Sequence, residues 1–474
     1  MSCRGTIVWL RQDLRLHDNP ALAAARARDG WVMPVYILSD EEEGDWPAGG
    51  ASRWWLHQSL SQLSQALHRR GSRLVLLKGK ASNLLPELAH DSGTDAVYWN
   101  RRYEPASVAR DGKLKDSLRE QGIAAESFNG TLLSEPWDVR SPADKPYRVF
   151  TPYKRRLLES LQLPAALPTP RKLAAPRPWP GSRDLTELEL MPDIPWHERM
   201  QRHWTPGEAG ALRRARRFLA TSVNEYGKTR DCPAEEGTSS LSPHLHFGEL
   251  SVRELWRWGE RAVHGWADCV FASELVWREF AHHLLFYNPR TPLEPLDRQF
   301  ERFPWQRNKK SQKAWQRGLT GFPIVDAGMR QLWALGWMHN RVRMIVASLL
   351  VKNLQQPWVD GARWFWDTLV DADLANNTMN WQWTAGCGAD AAPYFRIFNP
   401  VRQGEKFDPD GDYVRQWVPE LSELPTKHIH EPHLAPTDVL TAARVHIGEN
   451  YPAPVVDLKD SRREALAAYQ AMRR

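Results

Sequence analysis

Short apolar runs alternate with amphipathic stretches along roughly the first 135 residues of the chain. The amphipathic stretches, such as Arg53–Arg69 and Ser107–Gln121, repeat their apolar positions with the period of a helix. The apolar runs are short and often β-branched, as buried parallel strands are. They are Thr6–Leu10, Trp31–Leu38, Arg73–Lys78, Asp95–Asn100 and Ala125–Phe128. This alternation predicts a doubly wound, Rossmann-like α/β domain over residues 1–135.

The turn after the first predicted strand limits what this domain can bind. Asp18 or Asn19 can cap the first helix, and Pro20 suits its first turn. A dinucleotide-binding domain would carry a glycine-rich fingerprint directly after the strand, but Trp9–Asp13 reads Trp-Leu-Arg-Gln-Asp. The sequence therefore argues against a nicotinamide-dependent enzyme.

A proline-rich segment separates this region from a helical one. Residues 164–206 contain nine prolines and few apolar runs, which predicts a long connection over the surface. We place a linker at residues 136–205 and an all-helical domain at residues 206–474. Helical periodicity is plain in Ala209–Ala220, Val252–Val263, Val270–Leu285, Ala327–Leu354 and Arg462–Met472.

Composition narrows the function only a little. The net charge of +6 permits a polyanionic partner without requiring one. The four cysteines lie far apart, so we predict no metal site and expect a reducing, cytoplasmic setting. Met1–Leu16 does not read as a secretory leader, and no apolar run is long enough to cross a membrane. The unusual feature of the composition is the tryptophan content, 24 residues in a chain of 474.

One helical segment, Glu274–Phe280, combines an acid, an indole and a cation. On a helix, Glu274, Trp277 and Arg278 share a face. A carboxylate beside an indole can stack on a planar ligand and hydrogen-bond its edge. The alternative is a surface Glu–Arg pair that flanks a core tryptophan.

A second such segment is Trp337–Met344. Asn340, Arg343 and Met344 share a face by the same spacing. Two arginines on this apolar helix need partners, because an unpaired buried charge is costly. Phosphate or carboxylate would serve, and so would a structural ion pair.

Two further segments carry polar or aromatic groups in unusual density. Asp371–Asn377 contains two acids and two amides, which suits a metal site or, alternatively, capping and turn chemistry. Trp381 and Trp383 are two residues apart, so on a helix they face different surroundings and can do different jobs. Gly227–Thr229 resembles the end of a phosphate loop, but Ser222 stands where that motif requires glycine.

Together these segments resemble the photolyase–cryptochrome family. The similarity runs nearly end to end and is carried by Arg11–Arg15, Gly237–Ser242, His246–Gly248, Glu274–Phe280, Gly321–Arg330, Trp337–Met344, Asp371–Trp383, Tyr394–Pro400 and Gly404–Asp408. The resemblance implies an N-terminal α/β antenna domain and an all-α C-terminal domain that holds FAD in a folded form.

The resemblance also implies which residues contact the flavin. The family's contacts to the phosphates and the ribityl chain of FAD match Tyr226, Thr238, Ser239, Ser240, Leu241 and Ser242. A further flavin contact matches Arg278. Arg343 and Asp371 match an ion pair beside the ring, and Asp373 matches a hydrogen-bond partner of the ring. Asn377 matches the residue that faces the reactive ring nitrogen, where plant cryptochromes carry Asp. An amide cannot donate a titratable proton, so Asn377 suits FAD that is kept reduced and anionic.

The implied reaction is light-driven DNA repair. A cyclobutane pyrimidine dimer is flipped out of the duplex, reduced FAD passes one electron to it under blue light, and the ring opens. The catalytic pocket for the dimer matches Glu274, Trp277, Asn340, Met344 and Trp383. The electron-transfer chain to the surface matches Trp381, Trp358 and Trp305. Contacts to the DNA backbone match Lys154, Arg230, Arg341 and Arg396. We expect a monomer that associates with the nucleoid when it binds DNA.

The antenna residues depart from one bacterial branch of the family. Ala106 and Ser107 stand where that branch carries the amide and acid that hold folate. Pro47–Leu60, which includes Ser52–Leu56, instead resembles the class III branch nearest plant cryptochromes. Members of that branch bind folate differently, so we expect methenyltetrahydrofolate rather than a deazaflavin.

Two rival functions belong to the same family. A photolyase for the pyrimidine–pyrimidone photoproduct would carry a differently patterned histidine pair, whereas Met338–Arg341 matches the dimer-splitting pattern. A cryptochrome-type blue-light photoreceptor without repair activity is the other. Asn377 argues against it, and signalling cryptochromes commonly extend beyond the position of Arg474.

Overall fold

The computed structural model describes residues 5–391 and 393–473, so Cys3, Ala392 and Arg474 lie outside the described residues. The chain divides into two compact units, each assembled from three separate stretches. The first comprises Met1–Asn224, Ser239–Pro289 and Val370–Ala375, and the second comprises Glu225–Thr238, Arg290–Leu369 and Asn376–Arg474. The predicted domain limits near residues 135 and 205 stay a prediction.

A five-stranded parallel sheet lies in the first unit. Its strands are β1 Gly5–Leu10, β2 Trp31–Leu38, β3 Val75–Lys78, β4 Ala96–Asn100 and β5 Ala124–Phe128. The order is β3-β2-β1-β4-β5, and Ile7 of β1 pairs with Met33 of β2 and Val97 of β4. These three side chains belong to one buried apolar cluster. The five predicted strands and the α/β class are confirmed.

Twenty α-helices lie in the described part of the chain, besides 3₁₀ turns and one π turn. They are α1 Pro20–Arg26, α2 Gly50–His68, α3 Ala81–Ser92, α4 Pro105–Glu120, α5 Phe150–Ser160, α6 Glu198–His203, α7 Glu208–Thr221, α8 Tyr226–Thr229, α9 Ser242–His246, α10 Val252–Ala262, α11 Val270–Tyr287, α12 Lys309–Arg317, α13 Pro323–Leu335, α14 Asn340–Ser348, α15 Trp358–Thr368, α16 Leu374–Ala385, α17 Pro400–Phe407, α18 Asp412–Trp417, α19 Thr437–Ala442 and α20 Leu458–Arg473. Among the described helices, none is long and apolar enough to cross a membrane.

The start of α1 shows how the sequence marks a helix. Asn19 accepts a hydrogen bond from the backbone N–H of Leu22 at 3.1 Å, and a proline occupies the first helical position. The carboxylate of Asp18 instead accepts from the backbone N–H of Leu167 at 3.1 Å. Of the two predicted caps, Asn19 is therefore confirmed, and Asp18 ties the helix start to the proline-rich segment.

The proline-rich residues 164–206 pack along the sheet region. Apart from α6, their regular structure is limited to one 3₁₀ turn, Leu185–Leu188. The backbone oxygen of Ala174 accepts from the N–H of Val32 at 2.8 Å, beside the first position of β2. The predicted long connection is confirmed, and it is held to the first unit by backbone hydrogen bonds.

The helical periodicity over Ala327–Leu354 is divided in the structure between two helices and a π turn. Helix α13 ends before Gly336, which adopts a left-handed φ of 63° that glycine tolerates best. Helix α14 then begins at Asn340, and the side chain of His339 caps it by accepting from the N–H of Arg341. A π-helical turn, Leu349–Asn353, continues α14. Apolar periodicity did not reveal the break because both helices bury the same kinds of side chain.

Candidate functional site

Helix α11 of the first unit presents the predicted acid and indole. Glu274 and Trp277 are half-buried on it. The ring of Phe150, at the start of α5, lies parallel to the indole of Trp277, with centroids 3.6 Å apart and planes at 5°. One turn along α5, the ammonium of Lys154 donates to the hydroxyl of Ser273 at 2.7 Å. The packing of α5 on α11 therefore brings Lys154 and Trp277 to the same helix pair, and it orients the indole for stacking.

Arg278 makes contacts inside the first unit. Its guanidinium donates to the backbone oxygen of Thr131 at 3.0 Å and to the carboxylate of Glu279 at 3.2 Å. Burial raises the pKa of Glu279 to about 7 despite the adjacent guanidinium and the N–H of Leu133, which donates at 2.8 Å. Arg278 thus has a structural role here, and its predicted contact with the flavin stays a prediction.

Asp373 lies between two histidines. His246 Nδ1 and His282 Nε2 are 3.6 Å and 3.5 Å from its Oδ2. Burial favours the neutral acid, but the histidines outweigh it and hold the pKa of Asp373 well below its usual range. Burial likewise disfavours the charged form of His282, and the charge of Asp373 outweighs this and raises the pKa of that histidine. The site therefore holds an ionised carboxylate, and Asp371 is buried nearby in the chain.

Sequence reasoning did not assign a role to these two histidines. His246 stood in a family motif, and His282 follows Arg278 by one helical turn. The four-residue spacing from Arg278, which places both side chains on one helix face, was the only feature of the sequence that could have suggested a role for His282. Which carboxylate a histidine meets depends on the tertiary fold.

The predicted phosphate-side residues form an irregular turn that leads into α9. Thr238, Ser239 and Ser240 are half-buried, Leu241 is buried, and Ser242 is exposed at the first helical position. Ser240 has a left-handed φ of 48°, which is rare for a residue with a side chain. Hydroxyls and backbone N–H groups in such a turn are the donors that a diphosphate requires.

Helix α8 contains Tyr226 and the rejected phosphate-loop motif. Tyr226 is buried, and the guanidinium of Arg230 lies 5.4 Å from its ring centre. Thr229 donates its hydroxyl back to the oxygen of Glu225 at 3.2 Å. A four-residue helix without a glycine-rich approach does not form a phosphate loop, which confirms that the motif is incidental.

In the second unit, Asn377 and Trp381 lie one turn apart on α16. The Nδ2 of Asn377 donates to the backbone oxygen of Ala362 in α15 at 3.0 Å. The indole of Trp381 lies 5.0 Å from the ring of Phe365, also in α15. A Cβ atom on Gly361 would lie 2.2 Å from that indole, so glycine allows α15 to approach α16 closely. The contact orients both predicted functional side chains from one helix face.

The three predicted electron-transfer tryptophans differ in exposure. Trp381 and Trp358 are 2% and 3% exposed, whereas Trp305 is half-buried. Trp305 precedes α12 and packs against buried Phe303, with ring centres 4.4 Å apart. Of the three indoles, Trp305 thus has the greatest access to solvent, as the residue at the surface end of an electron-transfer chain requires.

Trp383 and Gln382 follow Trp381 on the same helix. Trp383 is half-buried and lies on another side of α16 from Trp381, so the predicted helix and the different surroundings are confirmed. Between the indoles, Gln382 accepts from the N–H of Leu296 and donates to the oxygens of Thr291 and Glu294, all at 2.8–3.0 Å. Gln382 therefore anchors the loop at residues 291–296.

The N-terminal end of α14 carries the other pocket residues. Asn340 is exposed, and Arg343 and Met344 are half-buried. The guanidinium of Arg341 meets the carboxylate of Asp231 with two hydrogen bonds of 3.2 Å and 2.8 Å. A protein carboxylate thus partners Arg341, while its proposed contact with DNA stays a prediction.

The last two predicted site residues are the arginines Arg343 and Arg396. Arg343 donates from Nε to the oxygen of Met338 at 2.8 Å. Arg396 is exposed beside Phe395, which is also exposed. An exposed guanidinium next to an exposed ring suits a polyanion surface, and the contact of Arg396 with DNA stays a prediction.

Two family models match this chain. The model described as DNA photolyase matches residues 6–172, and the model described as the FAD binding domain of DNA photolyase matches residues 271–471. The second match lies within the helical domain predicted over residues 206–474, and Tyr226 and Thr238–Ser242 lie outside the matched residues.

Full-length relatives agree with these matches. The chain is 49% identical to the deoxyribodipyrimidine photo-lyase of Agrobacterium fabrum, over 99% of this chain and 98% of that protein. It is 41% identical to cryptochrome-2 of Arabidopsis thaliana, over 98% of this chain and 78% of that protein. A crystal structure of a bacterial class III photolyase from Agrobacterium tumefaciens superposes with a TM-score of 0.96, at 49% identity, covering 100% of this chain and 98% of that one. The sheet, the helical region and the similarity along the whole length show that this chain belongs to the photolyase–cryptochrome family.

Proposed function

We propose that this protein is a deoxyribodipyrimidine photo-lyase, an enzyme that uses blue light to split cyclobutane pyrimidine dimers in DNA. The observation that carries the proposal is full-length similarity, at 49% identity, to a protein of that name. The amide at Asn377 supports it, because the side chain there holds no titratable proton. The amide nitrogen of Asn377 donates a hydrogen bond to the backbone oxygen of Ala362, which fixes the direction of the amide oxygen.

The residues present fit FAD. The hydroxyl-rich turn suits the diphosphate, and the ionised Asp373 beside His282 suits a polar edge of the ring system. We assign Tyr226, Thr238, Ser239, Ser240, Leu241, Ser242, Arg278, Arg343, Asp371, Asp373 and Asn377 to the cofactor. FAD, when bound in its reduced anionic form, supplies the electron for repair.

The pocket residues bind and orient the flipped dimer. The ring of Phe150 stacks on the indole of Trp277, with centroids 3.6 Å apart. This contact holds the indole in a fixed orientation for stacking on a base. Glu274, one turn earlier on α11, hydrogen-bonds the base edge. Flipping a nucleotide costs a few kcal/mol, and less at a damaged, poorly stacked step, which favours the dimer over intact DNA. We also assign Trp383, Asn340 and Met344 to dimer binding.

Four cations contact the DNA backbone in this proposal. They are Lys154, Arg230, Arg341 and Arg396. Each phosphate contact releases a counterion, so the affinity for DNA falls as salt rises. We further propose that the enzyme acts as a monomer in the cytoplasm.

The antenna is proposed to be methenyltetrahydrofolate. The stretch that resembles class III photolyases lies in α2, where Trp54 and Trp55 are fully buried. Trp55 Nε1 donates to the carboxylate of Glu249 at 3.0 Å, so this indole belongs to the core. We therefore assign no antenna ligand within Ser52–Leu56.

The test is repair itself. Reduced protein is incubated with an oligonucleotide that carries one thymine dimer, in blue light and in darkness, and restored thymines are counted by chromatography. Repair in the light alone is the expected result. A chain with bound, reduced flavin and no repair would instead support the photoreceptor function, which the 41% identity to cryptochrome-2 keeps as the second candidate.

A further inference from the structure

The positive charge of this protein is concentrated in one short segment of the second unit. Residues 298–317 contain seven lysines and arginines and one acid, Glu301, a net charge of +6. The whole chain also carries +6, so the other 454 residues hold equal numbers of basic and acidic side chains. The seven cations, which we call the basic segment, are Arg298, Arg302, Arg307, Lys309, Lys310, Lys313 and Arg317.

The basic segment faces solvent. All seven side chains are exposed, and none of them forms an ion pair within the described ranges 5–391 and 393–473. In α12, Trp315 turns inward and donates from Nε1 to the backbone oxygen of Val346 at 2.9 Å. Lys310, Lys313 and Arg317 recur at helical spacing on the opposite side of α12. They therefore form an outward row of positive charge.

Trp305 lies inside the basic segment. Arg302 and Arg307 stand three and two residues away from it, and α12 begins four residues later. The indole is half-buried and rests on the ring of Phe303, at 4.4 Å between centres. The least buried of the proposed electron-transfer tryptophans is thus bordered by cations on both sides.

This surface is distant from the start of α14. Arg396 of the same unit is nearer, because the ring of Tyr394, two residues before it, packs against Phe303 with centroids 5.6 Å apart. Asn340 and Arg341 open α14, whereas the loop after Trp305 is joined to the other end of that helix. There, the N–H of Gln306 donates to the oxygen of Gln355 at 2.8 Å. Helix α14 and its π turn span Asn340–Asn353, a length of about 20 Å at about 1.5 Å per residue. The basic segment is therefore not an extension of the proposed lesion pocket.

We propose that the basic segment docks a small acidic electron-transfer protein, which delivers electrons to Trp305. The inference rests on the proposed role of Trp305 as the surface end of the chain. When Trp305 has passed one electron inward, its indole is one electron short. The docked donor gives up one electron and is oxidised, the indole is reduced, and any proton that left Nε1 returns from water.

The extent of the charge favours a protein donor over a small anion. Helix α12 alone is nine residues long, about 13 Å, and the 3₁₀ turn and loop before it add three more cations. A small reductant would need one or two charges, whereas a row of this length matches an acidic surface. Electron-transfer partners associate through small, weak interfaces, and complementary charge raises their rate of encounter.

The experiment compares two triple variants of the full-length protein. The test variant is Lys309→Glu, Lys310→Glu and Lys313→Glu. The control is Lys113→Glu, Arg213→Glu and Lys427→Glu, which changes the net charge equally at exposed positions elsewhere. The probe is flavodoxin, an acidic redox protein. Its binding is measured by surface plasmon resonance at about 20 and about 200 mM salt, which screens surface charge. Photoreduction of the holoprotein is then driven by reduced flavodoxin or by uncharged dithiothreitol.

The proposal expects a specific loss in the test variant. Flavodoxin binding at low salt, and photoreduction driven by it, should fall at least about tenfold, while the control variant and the dithiothreitol reaction stay unchanged. An equal loss in both variants, or no loss in the test variant, overturns the docking site. If the test variant instead loses affinity for undamaged DNA and keeps flavodoxin binding, the segment serves DNA.

A separate variant distinguishes the two proposals. Trp305→Phe should slow photoreduction by both donors and leave flavodoxin binding intact. If Trp305→Phe leaves the dithiothreitol reaction unchanged, the proposed electron-transfer chain fails, whatever the triple variants show.

Discussion

Helix α11 of the first unit and helix α16 of the second each present a tryptophan, in opposite surroundings. Trp277 is half-buried, with Glu274 on its own helix face and Lys154 on the helix that packs against it. Trp381 is 2% exposed and enclosed by Phe365, Trp315 and the backbone at Gly361. A half-buried indole with polar groups nearby can bind and release a ligand, whereas an indole enclosed in a close-packed core cannot contact one. In the proposed function, the same side chain therefore serves binding in one unit and electron transfer in the other.

The largest expected effect tests the close packing around Trp381. In Gly361→Ala, the new Cβ would lie 2.2 Å from the indole, so an indole or a helix must shift. We expect a loss of about 3 kcal/mol in the free energy of unfolding, measured by urea denaturation. The matched control is Gly112→Ala in α4, where no atom lies within 4 Å of the new Cβ. That variant should gain about 0.5–1 kcal/mol, because alanine favours the helix. Equal behaviour of the two variants would contradict close packing at Gly361.

The second prediction separates electron transfer from binding. Trp381→Phe keeps an aromatic ring in the core but removes the oxidisable indole. Flavin photoreduction should slow at least about tenfold, equivalent to about 1.4 kcal/mol of barrier. Repair by chemically reduced enzyme should stay near the wild-type value. The two rates are read from absorbance in blue light and from restored thymines, and loss of both would mean that Trp381 is structural.

The third prediction addresses the polar side of the comparison. Glu274→Ala should lower the yield of repair per photon while flavin stays bound, because the base edge loses a hydrogen bond. Glu274→Gln, which keeps a polar side chain that can hydrogen-bond the base edge, should recover part of the yield. The yield is measured from thymines restored per absorbed photon. An unchanged yield in both variants would remove Glu274 from the pocket.

The last prediction concerns a buried lysine in the second unit. Lys352, in the π turn, donates to the backbone oxygens of Ala385 and Tyr394 at 3.1 Å and 3.3 Å. Burial lowers its pKa to about 7, whereas an unfolded lysine titrates near about 10.4. Between these values the unfolded chain binds more protons, so the free energy of unfolding rises with pH. Relative to Lys352→Met, the rise is at most about 1.4 kcal/mol per pH unit.

That prediction is measured by urea denaturation of both proteins at pH 7, 8 and 9. A difference between them that grows with pH indicates that the folded protein releases the lysine proton. A constant difference would mean that the ammonium stays charged, held by the two carbonyls and by the ring of Tyr394, 3.4 Å from its nitrogen.

Local patterns in the sequence predicted much of the fold. The five strands, the cap at Asn19 and helix α11 follow from short-range periodicity and side-chain chemistry. The break at Gly336 was missed because both sides of it are apolar in the same way. A positive φ depends on the packing of the helices that flank it, which periodicity does not report.

The sequence by itself determined the strands, most helices and the residue types of the candidate site, since these depend on neighbours a few positions away. Only the tertiary structure decided which groups meet across long separations. Phe150 covers Trp277, Asp231 pairs with Arg341, and His246 and His282 flank Asp373. Charge pairing and ring stacking act over a few ångströms in space, so the path of the whole chain must be known before such partners can be named.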